Sequence, residues 1–268
     1  MSLGHLFPTG RAAAIAHRGG SKLRPENTLA AFDHAVALGV DGIECDVHLS
    51  RDGVPVVIHD ATLDRTTDTT GLVVERTAAE LADIDAGSRF DAAAGAPYRG
   101  RGVGVPTLAE LLDRHPDTPM VVEIKGDDPA VVPAIAGVLR SGRRPDRFLV
   151  GGFSQAVLDA VRALTPPYAT GASREEVVAA IRRSYFRIRP RAAGYAVFQV
   201  PFVFQGKQIF RASFVRTVAR AGFDVQAWII DDEATMKHLM GWGVRGLISD
   251  RPDVAVRVVH GGRYNPVA

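Results

Sequence analysis

Short apolar runs rich in β-branched residues alternate along this chain with longer segments of helical period, and that alternation limits its possible folds more than any other feature. The runs fall at 13–16, 43–49, 54–58, 120–124, 148–150, 195–200, 225–230 and 246–248, with a shorter one at 168–169. Helical periods lie at 26–38, 107–113, 129–139, 155–164, 174–183, 210–221 and 233–242. Taking 54–58 as part of a hairpin excursion after 43–49 leaves eight barrel strands in 268 residues, the pattern of an α/β (β/α)8 TIM barrel. A doubly wound open sheet shares the alternation and is the second architecture, because periodicity does not report whether a sheet closes. Gly39, Gly142, Gly222 and Gly243 each follow a helical segment, where a left-handed residue is expected to end it.

The rhythm predicts a single catalytic domain over 1–260, with an irregular insertion at about 61–105 and a loosely held tail at 261–268. With 46% hydrophobic residues the chain can bury a large core, which excludes a disordered or collagen-like polymer. The formal net charge of +2 names neither a nucleic acid nor a membrane as partner, and no nucleic-acid partner is expected. Cys45 is the sole cysteine, so no internal disulfide can form and a reducing compartment fits. No apolar run reaches the roughly 18 residues of a membrane span, and the start of the chain lacks a secretory pattern. A cytoplasmic protein is expected; the oligomeric state is left open.

Polar side chains gather where the strands end. The second strand reads Gly-Ile-Glu-Cys-Asp-Val-His-Leu over 42–49, and its period of two puts Glu44, Asp46 and His48 on one face. Two like charges on an inner strand are costly to bury unless a cation compensates them. Oxygen ligands favour Mg²⁺ or Ca²⁺, and Cys45 points to the other face. Glu123 and Lys125 share a face on a later strand; Glu123 would complete a three-carboxylate site, although an internal salt bridge is the plainer reading of that pair. The first strand ends in Ala16-His17-Arg18-Gly19-Gly20, whose glycines would let a ligand approach the backbone, and His59-Asp60 follows another extended run. Two histidines beside cationic side chains and a metal suit cleavage of a phosphate ester, in which protons and growing oxygen charge are handled together.

Other signatures are missing, namely His-Glu-x-x-His, Gly-x-Ser-x-Gly, a Walker A loop and Cys-x-x-Cys. The glycines at 100–104 have the wrong spacing for a dinucleotide cradle and read as a flexible excursion. Arginines and aromatic residues interleave over 182–191, which permits a non-catalytic module binding phospholipid or polyanion; a solvated helix end is the simpler reading. The apolar stretch 198–204 suggests a pocket for a greasy substrate portion or ordinary core, and Trp228 a wall of the site.

Taken in order, His17-Arg18-Gly19, Pro25-Glu26-Asn27-Thr28, Glu44-Cys45-Asp46-Val47, His59-Asp60, Leu63-Asp64-Arg65-Thr66-Thr67 and Glu123-Ile124-Lys125 resemble the glycerophosphodiester phosphodiesterase family. The likeness runs from about residue 14 to Asp253 and implies a TIM barrel with an insertion after the second strand. It implies hydrolysis of a small glycerophosphodiester to glycerol 3-phosphate and an alcohol; some relatives cleave lysophospholipids instead, as a lysophospholipase D does. By the same likeness Glu44, Asp46 and Glu123 hold Mg²⁺ or Ca²⁺, His17 and His59 form the acid-base pair, Arg18 and Lys125 contact phosphate, and Trp228 belongs to an aromatic wall. After Trp228 this chain reads Ile229-Ile230-Asp231 where the family usually has a small polar residue and often asparagine, so contacts on the glycerol side are expected to differ.

Overall fold

A computed structural model describes residues 6–142, 144–191 and 194–261. The tail expected at 261–268 lies, past Gly261, outside them. Eight parallel strands form the barrel: β1 (Ala13–His17), β2 (Gly42–Leu49), β4 (Met120–Ile124), β5 (Phe148–Gly151), β6 (Ala169–Thr170), β7 (Val197–Pro201), β10 (Asp224–Trp228) and β11 (Gly246–Ser249), with β3 (Pro55–Val57) antiparallel to β2. The order β6-β5-β4-β2-β1-β11-β10-β7 leaves β6 and β7 as ends, and a parallel bridge from Gly171 to Val197 joins them. Ala172 N–H also donates to the Val197 carbonyl at 2.9 Å, so the sheet closes and the open alternative falls.

Around the barrel lie α1 (Leu29–Ala37), α3 (Leu108–Arg114), α4 (Val132–Ser141), α5 (Gln155–Arg162), α6 (Arg174–Tyr185), α7 (Ala212–Ala219), α8 (Glu233–Trp242) and α9 (Pro252–Val259). A short α2 (Ala78–Ala82) and a hairpin of β8 (Val203–Phe204) and β9 (Lys207–Gln208) complete the elements. The first helix is shorter than its period suggests. Thr28 caps it by accepting from Ala31 N–H, and Asn27 is left-handed, which frees Glu26 and Asn27 for the site. The helix α9 escapes the periodicity because its valines read as strand-formers, yet packing against β1 overrides that preference. Gly142 is extended at φ −63°, so it does not end α4 in the left-handed manner expected, whereas Gly39, Gly222 and Gly243 do have positive φ.

The strands' period of two divides the interior. Ala13, Ile15, Val121, Leu149, Ala169, Val197 and Ile248 fill the lumen, with Leu6 and Phe7 in the same cluster. Residues of opposite parity pack outward on the helices, with Ile43, Cys45, Val47, Val122 and Val150 in one cluster and Val200, Val225, Ala227 and Leu247 in another. Between β3 and α3 the chain leaves the barrel and returns beside its exit, where Val57 N–H donates to the Pro106 carbonyl at 2.8 Å. This excursion has a small core of its own, including Leu63, Val73, Leu81 and Val105. In its glycine run, Gly104 lies so close to Ala82 that an added Cβ would come within 2.0 Å of the Ala82 carbonyl oxygen, so that glycine serves packing.

Candidate active site

The inward parity of four neighbouring strands assembles the site at the carboxyl-terminal mouth. Register pairs His17 with Glu44 and Asp46 with Glu123, so four polar side chains share two adjacent rungs. Oxygens of Glu44, Asp46 and Glu123 come within 4.8 Å of one another. Burial, joined by the charges of Asp46 and Glu123, pushes the Glu44 carboxyl up to about 8. Asp46 is 1% exposed; burial acts upward on it, but Lys125 and Arg18 hold its carboxyl below the ordinary range. The Lys125 ammonium lies 2.8 Å from Asp46 and 2.5 Å from Glu123. Lys125 and Arg18 stand among three crowded carboxylates whose oxygens converge, and this all-oxygen donor set fits a hard divalent cation.

His17 is nearly buried, and its Nδ1 lies 2.6 Å from Asp250. A carboxylate there accepts the Nδ1 proton and leaves Nε2 facing Glu44 at 4.0 Å. Burial tends to lower the His17 pKa, but Asp250 and Glu44 outweigh it and the net shift is upward. His59 has the same arrangement, with Nδ1 at 2.6 Å from Asp60. His48 lies on the inward face but does not join the pocket; its Nε2 is 3.0 Å from the His59 carbonyl oxygen. Arg18 donates its backbone N–H to Glu44 at 2.9 Å and its Nη1 to Glu26 at 2.9 Å, with Nε 3.1 Å from Asp46. Asn27 donates Nδ2–H to Asp46 at 2.8 Å.

A pocket of about 130 Å³ draws together His17, Arg18, Glu44, His59, Glu123, Lys125 and Trp228, while Asp46 sits beneath it among its salt bridges. Every candidate residue is thus in the pocket or bonded to its lining. The roles of Gly19 and Gly20 differ from the expectation: a Cβ at Gly19 would meet Ala31 at 2.6 Å and one at Gly20 would meet Pro252 at 2.7 Å, so these glycines let the loop pack on helices.

Asp250 is absent from the motif reading, although the inward parity of β11 continued by one step from Ile248 reaches it, and Ala16 pairs with Ser249 on the adjoining strands. Glu26 is also missed as a site group because its segment reads as helix. Beside the pocket, sharing Glu123, Phe153, Gln199 and Trp228 with it, lies an apolar groove of about 460 Å³ floored by Val200 and Pro201 and edged by Val178, Ile181 and Phe204. From the apolar run only part reaches this groove; Phe198 is fully buried against Phe214 and Phe223. Trp228 meets Phe153 edge to face at 6.2 Å. The arginine-rich stretch 182–191 lies at the end of α6 and in the loop leading into β7, at the opposite mouth. Among the described residues no helix is long and apolar enough to cross a membrane.

The sequence model of the glycerophosphoryl diester phosphodiesterase family matches residues 17–254. A glycerophosphodiester phosphodiesterase of Caldanaerobacter subterraneus subsp. tengcongensis is 31% identical over 257 residues, covering 94% of this chain and 99% of that protein. A phosphodiesterase of Oleispira antarctica, solved with the product sn-glycerol-3-phosphate, superposes with a TM-score of 0.78 at 29% identity over 96% of this chain and 99% of that one. The corresponding domain of a Mycobacterium tuberculosis protein reaches a TM-score of 0.81 at 23% identity over 92% and 98% of the two chains, a likeness of fold. The match spans nearly the whole barrel and all the residues gathered at its mouth, and the chain belongs to the glycerophosphoryl diester phosphodiesterase family.

Proposed function

We propose that this chain hydrolyses glycerophosphodiesters to glycerol 3-phosphate and an alcohol, with residues 1–260 acting as one catalytic unit that includes the excursion at 61–105. The observation that carries the reading is the convergence of two carboxylate-oriented histidines on a pocket lined by Arg18, Lys125, Glu44 and Glu123, with Asp46 beneath it. Glu44, Asp46 and Glu123 would hold Mg²⁺ or Ca²⁺, which when bound supplies a positive charge that polarises the phosphoryl group and offsets charge growing on its oxygens.

His17 and His59 handle the protons. Each keeps Nδ1 on a carboxylate, so each presents Nε2 as the exchanging atom: one takes a proton from the attacking oxygen and the other gives one to the departing alcohol. Arg18 and Lys125 contact nonbridging oxygens as fixed cations that need no reorganisation when charge develops. Trp228, braced by Phe153, walls the substrate's organic portion. The apolar groove is the one feature behind a second substrate type, a lysophospholipid cleaved as by a lysophospholipase D, which the comparisons do not favour. A non-catalytic binding role for 182–191 has no support from the site.

The test is release of glycerol 3-phosphate from glycerophosphocholine, glycerophosphoethanolamine and glycerophosphoinositol, and of the phosphorylated lipid from a lysophospholipid, with Mg²⁺ or Ca²⁺ added and after chelation. Release from at least one water-soluble diester, lost on chelation, is expected. Folded protein that releases nothing under any metal condition refutes the proposal, and failure on the lysophospholipid alone removes the second substrate type.

A further inference from the structure

The segment Leu63-Asp64-Arg65-Thr66-Thr67 takes no part in the chemistry above, yet its arginine bonds to two carboxylates that in turn hold His59 and Arg18. Leu63 is fully buried in the excursion's core, and Thr67, also buried, donates its hydroxyl to the Leu63 carbonyl at 2.8 Å. Leu63 N–H donates to the Gly71 carbonyl at 2.9 Å. These contacts fix the turn that presents Arg65.

The Arg65 guanidinium is divided between two carboxylates. Nε donates to Asp60 Oδ2 at 2.6 Å, while Nη1 and Nη2 donate to the two oxygens of Glu26, each at 2.8 Å. The other Asp60 oxygen faces His59 Nδ1 at 2.6 Å, and Glu26 Oε1 also accepts from Arg18 Nη1 at 2.9 Å. A continuous chain of charge-assisted bonds therefore runs from His59 through Asp60, Arg65 and Glu26 to Arg18. Partial burial works upward on Asp60, but Arg65 and His59 bring its carboxyl down to about 2. Burial likewise opposes ionisation of Glu26, and Arg65 with Arg18 overrides it.

We propose that Arg65 is a positioning residue that sets two site groups at once, orienting the His59 ring through Asp60 and the Arg18 guanidinium through Glu26. The inference rests on the reading that His59 exchanges a proton and Arg18 contacts phosphate. It makes the excursion a working part of the site: unless Arg65 holds it, Asp60 can turn to solvent and His59 loses the partner that fixes its tautomer. A lysine cannot replace it, because a single ammonium lacks the planar fork that spans both carboxylates. The pair Glu26 and Arg65 also lines a separate cleft of about 390 Å³ with Lys22, Arg89 and Phe90, which gives small cations access to the position.

The test compares Arg65→Ala, Arg65→Lys, Asp60→Asn and the double variant Arg65→Ala with Asp60→Asn, using glycerophosphocholine and Mg²⁺. Loss of orientation at His59 should lower kcat of Arg65→Ala by about 10- to 100-fold, and loss of hold on Arg18 should raise KM by roughly threefold or more. Arg65→Lys should stay close to Arg65→Ala, and millimolar guanidinium should restore turnover in the alanine variant alone. Adding Asp60→Asn to Arg65→Ala should lower kcat by less than the product of the two single losses, since both act through one bond.

Nitrogen NMR of the imidazoles gives a readout independent of turnover. The His59 ring nitrogens should change from a single tautomer to an averaged signal in Arg65→Ala while those of His17 stay fixed. If wild-type protein turns over no diester, the functional reading fails and the His59 spectrum still decides this inference. Unchanged His59 signals, or kcat and KM of Arg65→Ala within about twofold of wild type, would overturn it.

Discussion

The two mouths of the barrel come from the same alternating strands and serve opposite ends. At the carboxyl-terminal mouth the inward positions are His17, Glu44, Asp46, Glu123 and Trp228; burial, joined by the charges of Asp46 and Glu123, raises Glu44 to about 8, and Lys125 lies against two carboxylates. At the amino-terminal mouth Leu6 and Phe7 join the lumen cluster, and Arg11 and Arg147 nearby are held by a carboxylate or by backbone carbonyls. Arg11 forks onto Asp41 with two bonds of 2.6 Å, and Asp41 also accepts the Ala14 N–H at 2.9 Å. Arg147, 2% exposed, spans the carbonyls of Thr118 and Leu112 and lies over the Phe148 ring at 4.6 Å. One mouth thus gathers charged groups of both signs around a pocket, and the other commits its charges to holding the fold together.

The sharpest break of this contrast is His17→Ala or Glu44→Gln. Either should cut glycerol 3-phosphate release by about 10³-fold or more while the melting temperature, compared without added divalent ion, stays near that of wild type. Near-normal rates in both would detach the carboxyl-terminal mouth from the chemistry. The reverse pattern is expected of Arg147→Ala, which strips buried carbonyls of their donor and should cost about 3 kcal/mol in denaturant unfolding, with kcat of the remaining folded protein retained. Loss of kcat without loss of stability would contradict that division.

A divalent ion at about a hundred times its Kd should add about 2.7 kcal/mol of stability, a rise of roughly 5 to 10 °C in melting temperature. Glu44→Gln should remove most of that rise; an equal rise in the variant would place the ion elsewhere. The smallest effect belongs to Asp41. Burial pushes its carboxyl upward, but the Arg11 bonds and the Ala14 N–H bring it below the ordinary value. A depressed pKa stabilises the fold above the unfolded value of about 3.9 and loses that contribution as pH falls through the lower folded value. Asp41→Asn should therefore flatten the acid limb of the stability curve and cost about 1 kcal/mol near neutrality. Parallel curves for variant and wild type below pH of about 5 would argue against it.

Alternation explains why so much of the site is legible in the sequence. Positions 44 and 46, 123 and 125, and 226 and 228 each declare a common strand face, and His17 ends a strand whose earlier inward residues are Ala13 and Ile15. Closure is not legible, because it depends on the contact of β6 with β7, and β6 is two residues long and carries almost no pattern. Asp250 and Glu26 escape for a different reason: both lie just outside regular elements, where side-chain direction follows loop geometry. The groove is legible only in part: the apolar run 198–204 supplies Val200, Pro201 and Phe204, but Val177, Val178 and Ile181 of α6 join them only in three dimensions.

A crystal structure of the protein with Ca²⁺ and sn-glycerol 3-phosphate tests the site most directly. One ion is expected on Glu44, Asp46 and Glu123, with the phosphate between the ring Nε2 atoms of His17 and His59. An ion bound away from those carboxylates, or a phosphate beyond reach of one histidine, would contradict that arrangement.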